Sequence, residues 1–157
     1  MTRYLLDVNV LIALMDPGHV RHDQAHAWFA ATGRRAWATC ALTENGVLRI
    51  VGNPRYPNSP GTPAAVAPLL GSLCGLAGHA FWADNVSLLD GARVDASRLL
   101  ESGQVTDSYL LALAVAHGGQ LASFDERLVT DAVVGGAAAL HLIDGRGAPR
   151  GSATRPV

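Results

Sequence analysis

Five short apolar runs are spaced along the chain: RYLL at 3–6, AWAT at 36–39, HAFWA at 79–83, QLASF at 120–124 and AALHLI at 138–143. Each is too short for a helix and long enough for a buried strand. Between them lie segments that read as helices. VLIALM begins one after the turn at 7–9, and 19–32 is amphipathic, with Val20, Ala27, Trp28 and Ala31 expected on its inner face. ALTENGVLRIV, 63–78 and 90–101 are three more expected helices, the last with Asp90 as its N-cap. SYLLALAVAH is apolar all round, as a buried helix is, and DERLVTDAV predicts a helical turn or two. Strands alternating with helices imply an α/β fold with a mainly parallel central sheet. NPRYPNSPGTP, between two of these helices, is too rich in Pro for a regular element.

With 157 residues, 49% of them hydrophobic, the chain can bury the core of one domain. The domain is expected over 1–144, with a loose tail over 145–157. The formal net charge of -1 gives no global attraction to nucleic acid or lipid, so any such binding needs a local patch. Cys40 and Cys74 have no CxxC partner and suit a reducing compartment. Asp7 and Asn9 interrupt the first apolar run, against a signal peptide, and no run approaches the roughly 18 residues of a membrane span. The expectation is a cytoplasmic protein without a membrane segment.

The placement of the acids points to chemistry. Asp7 follows the first strand, Glu44 lies in the helix after the second, Asp107 begins the buried helix and Asp125 follows LASF. Ligands of open parallel sheets bind outside the carboxyl ends of the strands. Each acid also has a structural reading. Asp7 and Asp125 suit turns or N-caps, Asp107 suits the positive end of its helix, and Glu44 suits a solvated face. Taken together, crowded carboxylates repel unless a cation joins them, and Mg²⁺ and Mn²⁺ prefer such all-oxygen ligands.

The stretches LLDVNVLIAL, TENG, TDSYLLALAVAHGG and LASFD, in this order, resemble the PIN domain, and more narrowly the VapC-type toxins of bacterial toxin–antitoxin pairs. The resemblance spans about 4–144. It implies an α/β/α sandwich and a Mg²⁺- or Mn²⁺-dependent endoribonuclease that leaves a 5′-phosphate. The acids it assigns to metal binding and catalysis match Asp7, Glu44, Asp107 and Asp125, with Asn9, Thr106 and Ser123 as their polar neighbours. It further implies an RNA substrate, a VapB-like antitoxin as partner and a homodimer. An Arg or Lys of the antitoxin entering the acidic cleft would supply the inhibition. The 19–32 and 41–51 helices offer an expected groove for an amphipathic partner helix.

Other classes fit less well. The chain has no Lys, which removes P-loop nucleotidases and phosphate-receiver domains. A phosphatase with an Asp nucleophile usually wants a second acid where Asn9 stands. A non-catalytic interaction module on the same fold remains, and it would show no metal-dependent thermal stabilisation. His19, His22 and His26 have helical spacing that could bind Zn²⁺, although a polar face near the site's mouth is the preferred reading. Trp28, Trp37 and Trp82 are assigned to packing rather than to stacking on bases. Arg34, Arg35, Arg49 and Arg55 are either a phosphate-binding rim or scattered solvated charge.

Overall fold

A computed structural model of the chain describes residues 1–144; the tail expected over 145–157 lies outside the described residues. In chain order the elements are β1 (Tyr4–Leu6), α1 (Val8–Met15), α2 (His22–Ala31), β2 (Trp37–Cys40), α3 (Ala41–Val51) and α4 (Pro63–Cys74). There follow β3 (His79–Trp82), α5 (Gln104–Ala116), β4 (Gln120–Ser123), α6 (Gly136–Ala139) and β5 (Leu140–Leu142). The five strands form one sheet in the order β3-β2-β1-β4-β5, and every pairing is parallel.

Period-two alternation sends successive strand residues to opposite faces. Leu6, Trp37 and Ala122 join a core with α1, α2, α3 and α4. Leu5, Ala38 and Leu121, each one position away, join a second core with α5. The result is an α/β/α sandwich. Leu110, Leu111 and Leu113 of α5 are fully buried, as its all-round apolarity requires. Gly46 lets α3 lie close to the first turn of α1, since a Cβ there would come within 2.8 Å of Val8. Among the described residues, no helix is long and apolar enough to cross a membrane.

Three sequence expectations fail locally. The helix expected over 90–101 is only a 3-10 turn at Ala96–Arg98. Asp90 and Asp95 fold their side chains onto the backbone N–H groups of Ala92 and Ser97, which favours turns over helix. DERLVTDAV is not helical either; Val133 forms an antiparallel bridge with buried Val94 and holds the two segments together.

The inner face of the 19–32 segment is also different. Its helix starts at His22, Ala25 and Phe29 are its buried residues, and Val20 is 93% exposed. α1 packs against both this helix and α3. The Pro-rich loop forms no regular element, as expected, and it is anchored. Tyr56 donates its hydroxyl hydrogen to Asp16, and Asn58 Nδ2 donates to the same carboxylate at 2.9 Å.

Candidate acidic site at the strand ends

From β1 the chain runs outward through β2 to β3, then returns to place β4 and β5 on the other side. The topological switch therefore falls between β1 and β4, where parallel sheets open a crevice at their carboxyl ends. Asp7 directly follows β1, and Ser123 is the last residue of β4. Asp107 lies in the first turn of α5, the helix that leads into β4.

Asp7 is the N-cap of α1; its Oδ1 accepts from the Val8 N–H at 2.8 Å. Its Oδ2 accepts from the Ser123 hydroxyl at 3.0 Å. The same Ser123 Oγ accepts from the Asp125 N–H at 3.1 Å. Ser123 is buried, at 1% exposure, so this bridge ties the Asp7 carboxylate to the Asp125 backbone. Asp125 Oδ1 in turn accepts from the Arg127 N–H at 2.9 Å.

The electrostatics show that the three aspartates share one field. Burial pushes the Asp107 carboxyl up to about 6, and the charges of Asp7 and Asp125 push the same way. Asp7 is raised too, by burial first and by the Asp125 charge, although the hydrogen bonds from Ser123 and Val8 hold it down. The side-chain ion pairs among the described residues are Arg93–Asp90 and Arg98–Asp95, so neither Asp7, Asp107 nor Asp125 has a cationic partner there. Two carboxyls raised by burial and by neighbouring negative charge, with no cation beside them, are the start of a donor set that a hard divalent ion would relieve.

Glu44 has other company. Its Oε1 accepts from the Thr39 hydroxyl at 2.7 Å, and Thr39 Oγ1 is 2.8 Å from His79 Nε2. Its carboxylate groups with Cys74 and His79, on the β2–β3 side of the sheet. Of the four expected acids, the structure sets Asp7, Asp107 and Asp125 within range of one another's charge and groups Glu44 with Cys74 and His79.

Asn9 lines an open cavity of about 530 Å³ with His19, Arg21, Phe124, Asp125, Glu126 and Arg127. Thr106 lies exposed beside Asp107. The basic groups at this mouth are Arg21, whose guanidinium sits 5.0 Å from the centre of the Phe124 ring, and Arg127. Neither was among the arginines expected to form a rim. Arg34 and Arg35 sit in the turn that enters β2, at the amino-terminal end of the strand and so away from the crevice. Arg49 and Arg55 do not line the cavity. Arg127 was readable from its position two residues after Asp125, but Arg21 arrives from the α1–α2 link and gave no signal.

The histidine set divides. His19 lines the cavity. His22 Nδ1 and His26 Nε2 lie 2.7 and 2.8 Å from the carbonyl oxygens of Ala13 and Leu14, and so cap the last turn of α1. Trp37 and Trp82 are buried, and Trp28 donates its indole N–H to His141 Nε2 at 2.9 Å, so the tryptophans pack as expected.

The PIN domain family profile matches residues 4–132. Ribonuclease VapC44 of Mycobacterium tuberculosis is 49% identical over 133 residues, 85% of this chain and 93% of that protein. The chain belongs to the PIN-domain family, among its VapC-type members. Ribonuclease VapC39 of the same organism is 43% identical over 131 residues, 83% of this chain and 94% of that protein. Solved PIN relatives share the fold at low identity. The crystal structure of M. tuberculosis VapC20, described as a Sarcin-Ricin loop cleaving toxin, superposes with a TM-score of 0.59 at 17% identity, covering 83% of this chain and 96% of that one. A chain of VapBC2 from Rickettsia felis, solved bound to a DNA fragment from its promoter, gives 0.58 at 9% identity, covering 91% and 100%.

Proposed function

We propose that this PIN-domain chain is an endoribonuclease toxin of a toxin–antitoxin pair, acting in the cytoplasm with Mg²⁺ or Mn²⁺ held at the switch-point crevice. The observation that carries the reading is the set of Asp7, Asp107 and Asp125 at the strand ends, where burial and neighbouring negative charge raise the Asp7 and Asp107 carboxyls with no cation beside them. The ribonuclease names of its relatives support the substrate class. Asp7, Asp107 and Asp125 would hold the metal, and Ser123 would keep Asp7 and Asp125 in register. Glu44 enters the set through the family resemblance, and would have to leave Thr39 to join it. Asn9 and Thr106, which the family resemblance adds, would orient substrate or water.

A bound Mg²⁺ or Mn²⁺ would acidify a water and balance the charge on the leaving 3′ oxygen. Arg21 and Arg127 at the mouth suit phosphate contacts, which position a strand without reading its sequence. Clustered acids also attract a cationic side chain. An antitoxin segment bearing an Arg could therefore silence the crevice by pairing with one carboxylate. A homodimer with this antitoxin bound is the expected resting assembly. The reading is tested by incubating pure protein with total cellular RNA, with chelator or with Mn²⁺, and mapping new 5′ ends. New 5′-phosphate ends that need the metal are expected. Equal cleavage in excess chelator would rule the metal mechanism out.

A further inference from the structure

A second cluster of metal-binding side chains lies away from the aspartates. Glu44 in α3, Cys74 at the end of α4 and His79 at the start of β3 each offer one ligand atom, and these atoms lie within 4.8 Å of one another. They come from three elements, and Cys74 and His79 are only five positions apart, so one short link fixes two of the three. We propose that Glu44, Cys74 and His79 form a zinc site that fastens α3 to α4 and β3, with a fourth position open to water. Sulfur, nitrogen and oxygen donors together suit Zn²⁺, whereas Mg²⁺ and Mn²⁺ prefer oxygen alone.

Thr39 supplies the outer support such a site needs. Fully buried on β2, its hydroxyl donates to Glu44 Oε1 at 2.7 Å and lies 2.8 Å from His79 Nε2, which holds both side chains toward one point. Access exists as well, because Glu44 and Cys74 both line a surface pocket of about 230 Å³ between α3 and α4. Cys74 is a free cysteine, so its thiol is available as a ligand. The proposal rests on this geometry alone and stands even if the chain cuts no RNA; with zinc bound, Glu44 stays with Cys74 and His79 and does not join the aspartates.

The test uses the purified, metal-stripped full chain, titrated with Zn²⁺ and with Co²⁺ as a spectroscopic substitute. A thiolate-to-cobalt charge-transfer band in the near ultraviolet is expected. It should persist in Asp7→Asn, resist excess Mg²⁺, and vanish in Cys74→Ala. Cys74→Ala and His79→Gln should each weaken Zn²⁺ binding by about tenfold or more and abolish the rise in melting temperature that Zn²⁺ gives. Cys74→Ala is a small change at a half-buried helix end, which guards the test against a folding defect. The absence of a thiolate band would overturn the proposal. So would unchanged Zn²⁺ affinity in both variants, or loss of the band in Asp7→Asn.

Discussion

An aspartate stands at each end of the eight-residue helix α1: Asp7 as its N-cap and Asp16 as its C-cap. The helix dipole favours a negative charge at the first position and opposes one at the second. The two carboxyls do the reverse: Asp7 is raised and Asp16 lowered. Burial pushes both up. At Asp16 the hydrogen bonds from Tyr56, Asn58 and the Gly18 N–H, with the charge of His19, more than offset it. At Asp7 the two donors Val8 and Ser123 do not, and the neighbouring Asp125 adds repulsion. Hydrogen-bonding groups outweigh the macrodipole at Asp16, and burial outweighs it at Asp7. One acid is satisfied by the protein itself; the other is left wanting a cation.

The largest effect expected from this contrast is on activity. Asp7→Asn and Asp107→Asn should each lower RNA cleavage by about a hundredfold or more, since each removes a ligand charge that a catalytic metal would need. Asn still caps a helix, so metal-free thermal unfolding of Asp7→Asn should be unchanged or shifted upward. A large loss of stability with cleavage intact would make Asp7 another Asp16.

At the opposite end of the helix the effect should fall on stability. Asp16→Ala strips the acceptor from Tyr56, Asn58 and Gly18, and should cost about 2–3 kcal/mol in urea unfolding, the range for hydrogen bonds to a charged group. Tyr56→Phe removes one of these donors and should cost about 1–2 kcal/mol by the same measure. Metal-dependent cleavage per folded molecule should survive both changes. If Asp16→Ala unfolds like the parent, the loop anchoring is only apparent.

The smallest effect is in pH. A carboxyl raised in the folded state binds its proton there before the unfolded chain does. Metal-free protein should therefore gain stability as pH falls from about 6, where Asp107 titrates, toward the ordinary carboxylate value of about 4. Asp16, lowered in the folded state, contributes stability present above that value and lost as pH falls below it. Unfolding followed against pH should thus show a shallow optimum near 4, and Asp107→Asn should flatten its upper side. A monotonic rise in stability toward neutral pH in the metal-free parent would contradict the crowding of the aspartates.

Much of this was legible in the residues because it is local. YLL, HAFW and QLAS were readable as strands from their length and apolarity, and α5 from its unbroken apolar surface. The bounds of α3 were read to the residue. The failures sit where short polar side chains choose between helix and turn. Asp90 suited an N-cap in sequence, yet its side chain and that of Asp95 close tight turns, while Val94 finds Val133 nearly forty positions away.

By itself, then, the sequence determined the alternation of strand and helix, the parallel sheet it demands, and the positions of Asp7, Asp107 and Asp125 beside strand and helix ends. Backbone periodicity and burial act over a few residues, so they can be read from the chain. Only the tertiary structure decided which acids meet. The strand order set Asp7 and Asp125 on either side of the β1–β4 crevice and left Glu44 with Thr39, Cys74 and His79. It likewise gave Asp16 its donors from a loop some forty residues on, and brought Arg21 to the cavity mouth. Electrostatic and hydrogen-bonding energies depend on distance in space, and for pairs so far apart along the chain that distance exists only once the sheet has assembled.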